Sequence, residues 1–141
     1  MEFIPVKKAA NSLDNLNTKD TILFVDDDQV ILNVCTLLIE ELGYKVLQAE
    51  NGKKATQIFR DQKDVICLVI LDMKLPDENG SNTCKRLKAL EPDVKVLHTS
   101  GLGKVQGENG FECGCEAFLL KPYRIDEMSN KLKEMLKATK R

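Results

Sequence analysis

The chain has 141 residues, 21 of them basic and 22 acidic, for a net charge of −1. That length fits one domain able to bury its own core, and without a concentrated basic stripe the attraction that drives nucleic-acid binding is missing. No apolar run approaches the roughly 20 residues of a membrane span, and the first ten residues hold no apolar stretch long enough for a signal peptide, so a cytoplasmic protein with no membrane contact is expected. Five cysteines, Cys35, Cys67, Cys84, Cys113 and Cys115, are an odd number scattered through apolar segments, which predicts free thiols. The Cys113-Gly114-Cys115 pair lacks the usual spacing of a metal or redox site.

Residues 1–20 are polar after Val6 and carry no sustained period; they read as a tail or linker, with the domain running over 21–141. From there, short β-branched runs alternate with helical patterns, the signature of an α/β fold with a parallel sheet covered on both faces. The first strand is predicted at 21–25, followed by a helix over 29–42 in which Ile31, Val34, Cys35, Leu38 and Leu42 recur at helical spacing, with Gly43 as its stop. A strand at 45–49 leads to a helix over 52–62, where Ala55, Ile58 and Phe59 share a face. The run 65–71 is almost continuously apolar, as suits a central strand buried on both sides. A helix over 81–90 is stopped by Pro92 and followed by a strand at 94–98. A fourth helix within 104–113 competes with a plain loop, because five of the eight glycines fall between Gly101 and Gly114. A strand at 117–120 and a last helix over 125–138, turning Met128, Leu132 and Met135 or Leu136 inward, complete the pattern.

In an open parallel sheet, ligands bind beyond the carboxyl ends of the strands. Those ends carry Asp26, Asp27 and Asp28, then Asp72, then Thr99, Ser100 and Gly101, then Lys121 and Pro122. Several carboxylates at one rim repel one another and ask for a hard divalent cation, Mg²⁺ being the best match to a small open site. The alternative for each aspartate is a helix cap, and for Asp28 the cap is preferred. His98 is expected in the sheet interior or under a neighbouring helix, with no part in the chemistry at this rim.

Four runs, Ile22-Leu23-Phe24-Val25-Asp26-Asp27-Asp28, Leu71-Asp72-Met73-Lys74-Leu75-Pro76 with Gly80, His98-Thr99-Ser100-Gly101 and Phe118-Leu119-Leu120-Lys121-Pro122, resemble the receiver domains of bacterial response regulators and hybrid histidine kinases, in order and with matching separations. The resemblance implies a doubly wound (βα)5 sheet in the flavodoxin-like order 2-1-3-4-5. It makes Asp72 the acceptor of a phosphoryl group from a phosphohistidine or a small acyl phosphate. Asp27, Asp72 and the Lys74 backbone carbonyl would bind Mg²⁺ directly, and Asp26 mainly through water. Lys121 would contact a phosphoryl oxygen, with a cis bond to Pro122. Ser100 is the counterpart of the switch hydroxyl, with Thr99 in its place if the register shifts by one. Phe118 falls on the coupled aromatic position without the hydroxyl of the tyrosine often found there.

The partners this implies are a histidine kinase or phosphotransfer protein, and an effector reached through the fourth helix, fifth strand and fifth helix, a face on which such domains also form homodimers. Two other readings stay open. One is a phosphatase or phosphotransferase with an aspartate nucleophile, against which stands Lys74 where those enzymes usually have a second aspartate. The other is an interaction module of the same fold that is never phosphorylated.

Overall fold

The computed structural model describes residues 19–101 and 114–139. The fourth helix expected within 104–113, Cys113, and residues 1–18 of the tail lie outside the described residues. The elements run β1 (Thr21–Val25), α1 (Gln29–Glu41), β2 (Lys45–Ala49), α2 (Gly52–Gln62), β3 (Ile66–Asp72), α3 (Gly80–Leu90), β4 (Lys95–Gly101), β5 (Ala117–Lys121) and α4 (Ile125–Thr139). All four strand pairings are parallel and the order is β2-β1-β3-β4-β5, as expected. Among the described residues no helix is long and apolar enough to cross a membrane.

The apolar runs explain the layering. Every residue of β3 is buried, and a fully buried Leu or Ile contributes about 1.5–3 kcal/mol, so this strand anchors both faces. Leu23, Val25, Val69, Leu71 and Val96 pack with Ala55 and Phe59 of α2 and with Cys84 and Leu87 of α3. Phe24, Ile70 and Leu97 point the other way, into a cluster with Leu32, Cys35 and Ile39 of α1 and Met128, Leu132, Met135 and Leu136 of α4.

Three expectations are corrected. On α1 the fully buried positions are Leu32, Cys35 and Ile39, while Val34 is exposed; the helix is apolar on most sides, so periodicity alone selects no face. Strand β3 starts one residue later than predicted and ends at Asp72, and β4 continues through Thr99 and Ser100 to Gly101, because ladder hydrogen bonds accept polar side chains where the sheet stays covered. The described cysteines are buried free thiols, and burial pushes the Cys67 thiol up to about 11.

Candidate functional site

The site is built from strand ends that register brings level. Val25 pairs with Ala49 and Leu71, Asp72 with Thr99, and Gly101 with Lys121. Side chains alternate along a strand. Phe24, Ile70, Leu97 and Leu119 all face α1 and α4, so Asp26, Asp72, Thr99 and Lys121, two residues further along each strand, face the same way. His98 lies on the opposite face with Phe118.

Lys121 ties the acidic groups together: its Nζ donates to Asp26 Oδ2 at 2.9 Å and to Asp72 Oδ2 at 3.1 Å. Asp26 is fully buried and Asp72 nearly so, while Asp27 is exposed at the mouth. Carboxylate oxygens of Asp26, Asp27 and Asp72 lie within 4.8 Å of one another. Three carboxylates against one ammonium leave an excess of negative charge in hard oxygen donors, the donor set a hard divalent cation requires.

The titration shifts agree. Burial, and then the charge of Asp26, raise the Asp72 carboxyl above its ordinary value against the pull of Lys121. Burial alone would lower the Lys121 ammonium, but its bond to Asp26 and the charges of both carboxylates carry it above its usual value. The peptide bond from Lys121 to Pro122 is cis, as the resemblance implied.

The remaining predicted residues fall into place unequally. Asp28 caps α1, accepting from Val30 N at 3.0 Å and Ile31 N at 3.3 Å, so the cap reading holds for it. The Lys74 amide reaches Asp72 Oδ1 at 3.4 Å. Gly80 donates to Met73 O at 2.6 Å, and a Cβ there would run into the Asp72 carbonyl and Met73 Cα, so the loop after Asp72 closes this tightly only over glycine. His98 is buried and its Nδ1 lies 3.1 Å from Leu71 O; a carbonyl only accepts, so Nδ1 carries a proton. Its ring stacks on Phe118 at 5.6 Å between centroids, and Phe118 is only half-buried. Among the described residues, Ser100 Oγ reaches no further than its neighbour's Gly101 carbonyl, at 3.4 Å. Thr99 Oγ1 is buried and has no hydrogen-bond partner among the described residues.

Sequence reasoning passed over Tyr123 and Asp77. Tyr123 OH sits 3.7 Å from Cys35 Sγ, and burial, then Cys35 and the site carboxylates, push its phenol far up, so it stays a neutral wall of the site. Asp77 accepts from Gly52 N at 2.8 Å and Lys53 N at 2.9 Å at the start of α2. No local pattern betrays a contact between groups 25 residues apart.

Residues 22–133 match the response regulator receiver domain family. The DNA-binding dual master transcriptional regulator RpaA of Synechocystis is 35% identical over 85% of this chain and 50% of its own length. The phosphate regulon transcriptional regulatory protein PhoB of Pseudomonas aeruginosa is 32% identical over 84% of this chain and 52% of its own. The chain thus spans about half the length of the curated relatives it matches. A response regulator receiver domain protein from Clostridium thermocellum superposes with a TM-score of 0.78 at 27% identity, covering 86% of this chain and 97% of that one.

Proposed function

The chain belongs to the response regulator receiver domain family, and from that premise we propose that Asp72 is the phosphoacceptor of a two-component signalling protein, with residues 21–141 as the receiver and 1–20 as a tail. The observation that carries this reading is the Lys121 ammonium bridging Asp26 and Asp72 beside Asp27. A cap or a solvated lysine gives no reason for these groups to meet.

Asp27, Asp72 and the Lys74 carbonyl would hold Mg²⁺, with Asp26 acting mainly through water. Once bound, the ion supplies positive charge against the oxygens of the transferring phosphoryl group. A carboxylate oxygen of Asp72 forms the new P–O bond as the P–N bond of a phosphohistidine, or the P–O bond of an acyl phosphate, breaks. Lys121, already paired with Asp72, then follows a phosphoryl oxygen as a point charge. Ser100 donates its hydroxyl to another, and Phe118 moves with it in a two-state switch. One turn of transfer stores the group, so the domain is a signalling acceptor and no multiple-turnover phosphatase; Lys74 in place of a second aspartate supports this.

The partners follow from the surfaces. Beside Lys121 opens an apolar groove lined by Val30, Ile31, Val34, Tyr123 and Ile125, with Val30 69% exposed. It suits the helix of a histidine kinase or phosphotransfer protein that must bring its phosphohistidine to Asp72. At the sheet edge, β5 offers the exposed Leu120 beside Phe118, a face for an effector or a second copy together with α4. A cytoplasmic setting matches such partners.

Incubation with acetyl phosphate and Mg²⁺ followed by intact-mass measurement tests the reading. The chain gains one phosphoryl group, and Asp72→Asn or a chelator abolishes the gain. No adduct, or one that survives Asp72→Asn, leaves the interaction module, and steady phosphate release from small phosphoesters leaves the phosphatase.

A further inference from the structure

The loop between β3 and α3 holds Lys74, whose carbonyl the proposed function makes an ion ligand, and it is gripped by groups outside the site. Asp77 receives both amides that open α2, from Gly52 and Lys53. On the same helix, Thr56 Oγ1 donates to Gly52 O at 2.9 Å and accepts from Arg86 Nε of α3 at 3.3 Å. Arg86 Nη2 and Thr83 Oγ1 both donate to Glu78 Oε2, and Glu78 follows Asp77 in the loop. The bonds therefore form a closed ring, Asp77 to Gly52 to Thr56 to Arg86 to Glu78, that joins the loop to two helices at once. A Cβ on Gly52 would meet the Glu78 carboxylate, so the helix start and the loop are in close approach. Inside the loop, Leu75 N donates to Glu78 O at 3.2 Å and Lys74 bridges to Asn79.

The geometry points to Asp77 as a positioning residue for the ion site: through this ring it fixes the loop so that the Lys74 carbonyl is already turned to the ion before the ion arrives. Asp77 does not touch the reacting groups, and neither Asp26 nor Asp72 is among its partners. Desolvation pushes its carboxyl up, but the amides of Gly52 and Lys53 and the nearby Arg86 together bring it below the usual carboxylate value. Fixing a ligand beforehand removes an ordering cost from binding, which is how outer partners of metal ligands raise affinity. The inference rests on the proposed ion site and adds to it the device that presets one ligand.

The test is a Mg²⁺ titration of the full chain followed by backbone amide shifts, with amide exchange of the metal-free protein alongside. Asp77→Ala raises the apparent Kd for Mg²⁺ about tenfold and speeds exchange of the amides from Lys74 to Asn79 without metal. Thr56→Val opens the ring with no change of charge and shifts both readouts in the same direction. The effect persists at high salt, where a mere loss of negative charge would be screened. If exchange shows the loop released while the Kd stays within about twofold of the parent, Asp77 does not position the site. Should Asp77→Ala not fold, Thr56→Val alone decides by the same criterion. If the parent chain takes up no Mg²⁺ at all, the acceptor reading falls, and the exchange data still report separately whether the ring holds the loop.

Discussion

The end of β3, which carries Asp72, and the end of β4 beside it are held in different ways. After β3, the backbone is tied by Gly80 to Met73, by Asp77 to α2, and by Glu78 to Thr83 and Arg86 of α3. Among the described residues, at the end of β4 the Ser100 hydroxyl reaches only its neighbour's carbonyl and Thr99 Oγ1 reaches nothing. Both ends lie level in the sheet, since Asp72 pairs with Thr99. The difference teaches a division of labour. On the proposed reading, the side that positions the acceptor and the ion is cross-linked through its side chains before any ligand arrives, while the side that reads out the phosphoryl group keeps its backbone ladder but few side-chain bonds among the described residues.

The contrast can be broken first at the ion pair. Lys121→Met leaves the buried Asp26 and Asp72 facing each other without a counter-charge, and should cost about 1–3 kcal/mol of metal-free stability, largely restored by Mg²⁺. Chemical denaturation with chelator and with Mg²⁺ measures both; equal loss in the two conditions would mean that Lys121 acts by packing.

A smaller effect of opposite sign is expected from Asp72→Asn. The folded Asp72 carboxyl lies above its unfolded value, so its ionisation destabilises the fold at pH above that raised folded value. The penalty is relieved as pH falls through it toward the ordinary carboxylate value. Asp72→Asn should therefore raise the metal-free melting midpoint near neutral pH and flatten its dependence on pH across that acidic window. Melting curves stepped through the window, with chelator present, would show an unchanged slope if Asp72 were an ordinary solvated carboxylate.

The smallest effect sharpens the other side. Thr99→Val removes a buried hydroxyl that has no partner among the described residues and keeps the shape, so stability should stay level or rise by up to about 1 kcal/mol, with phosphoryl uptake intact. A clear loss of stability in equilibrium unfolding would show that this hydroxyl is bonded in solution and that the end of β4 is better held than it looks.

How much of this could be read from residues alone depended on the range of the interaction. The strand order was legible through the family resemblance, and the Asp28 cap and the meeting of Asp26, Asp72 and Lys121 because they rest on local punctuation and on strand ends that a parallel sheet gathers at one rim. The buried face of α1 was not, since Ile31, Leu32, Val34, Cys35, Leu37, Leu38 and Ile39 leave no single apolar stripe. The full length of β4 was missed because Thr99 and Ser100 look like loop residues until the neighbouring strands cover them. The ring through Asp77 and Arg86 joins three segments whose spacing carries no period, so only folded geometry brings it to view.

Peptide-level hydrogen exchange, compared before and after treatment with acetyl phosphate and Mg²⁺, tests the contrast most directly. Protection from Met73 to Asn79 should hold or rise slightly, while protection from His98 to Gly101 and from Ala117 to Lys121 should change clearly, and Asp72→Asn should abolish both responses. Change concentrated in the loop after β3, with the ends of β4 and β5 unaltered, would contradict the account.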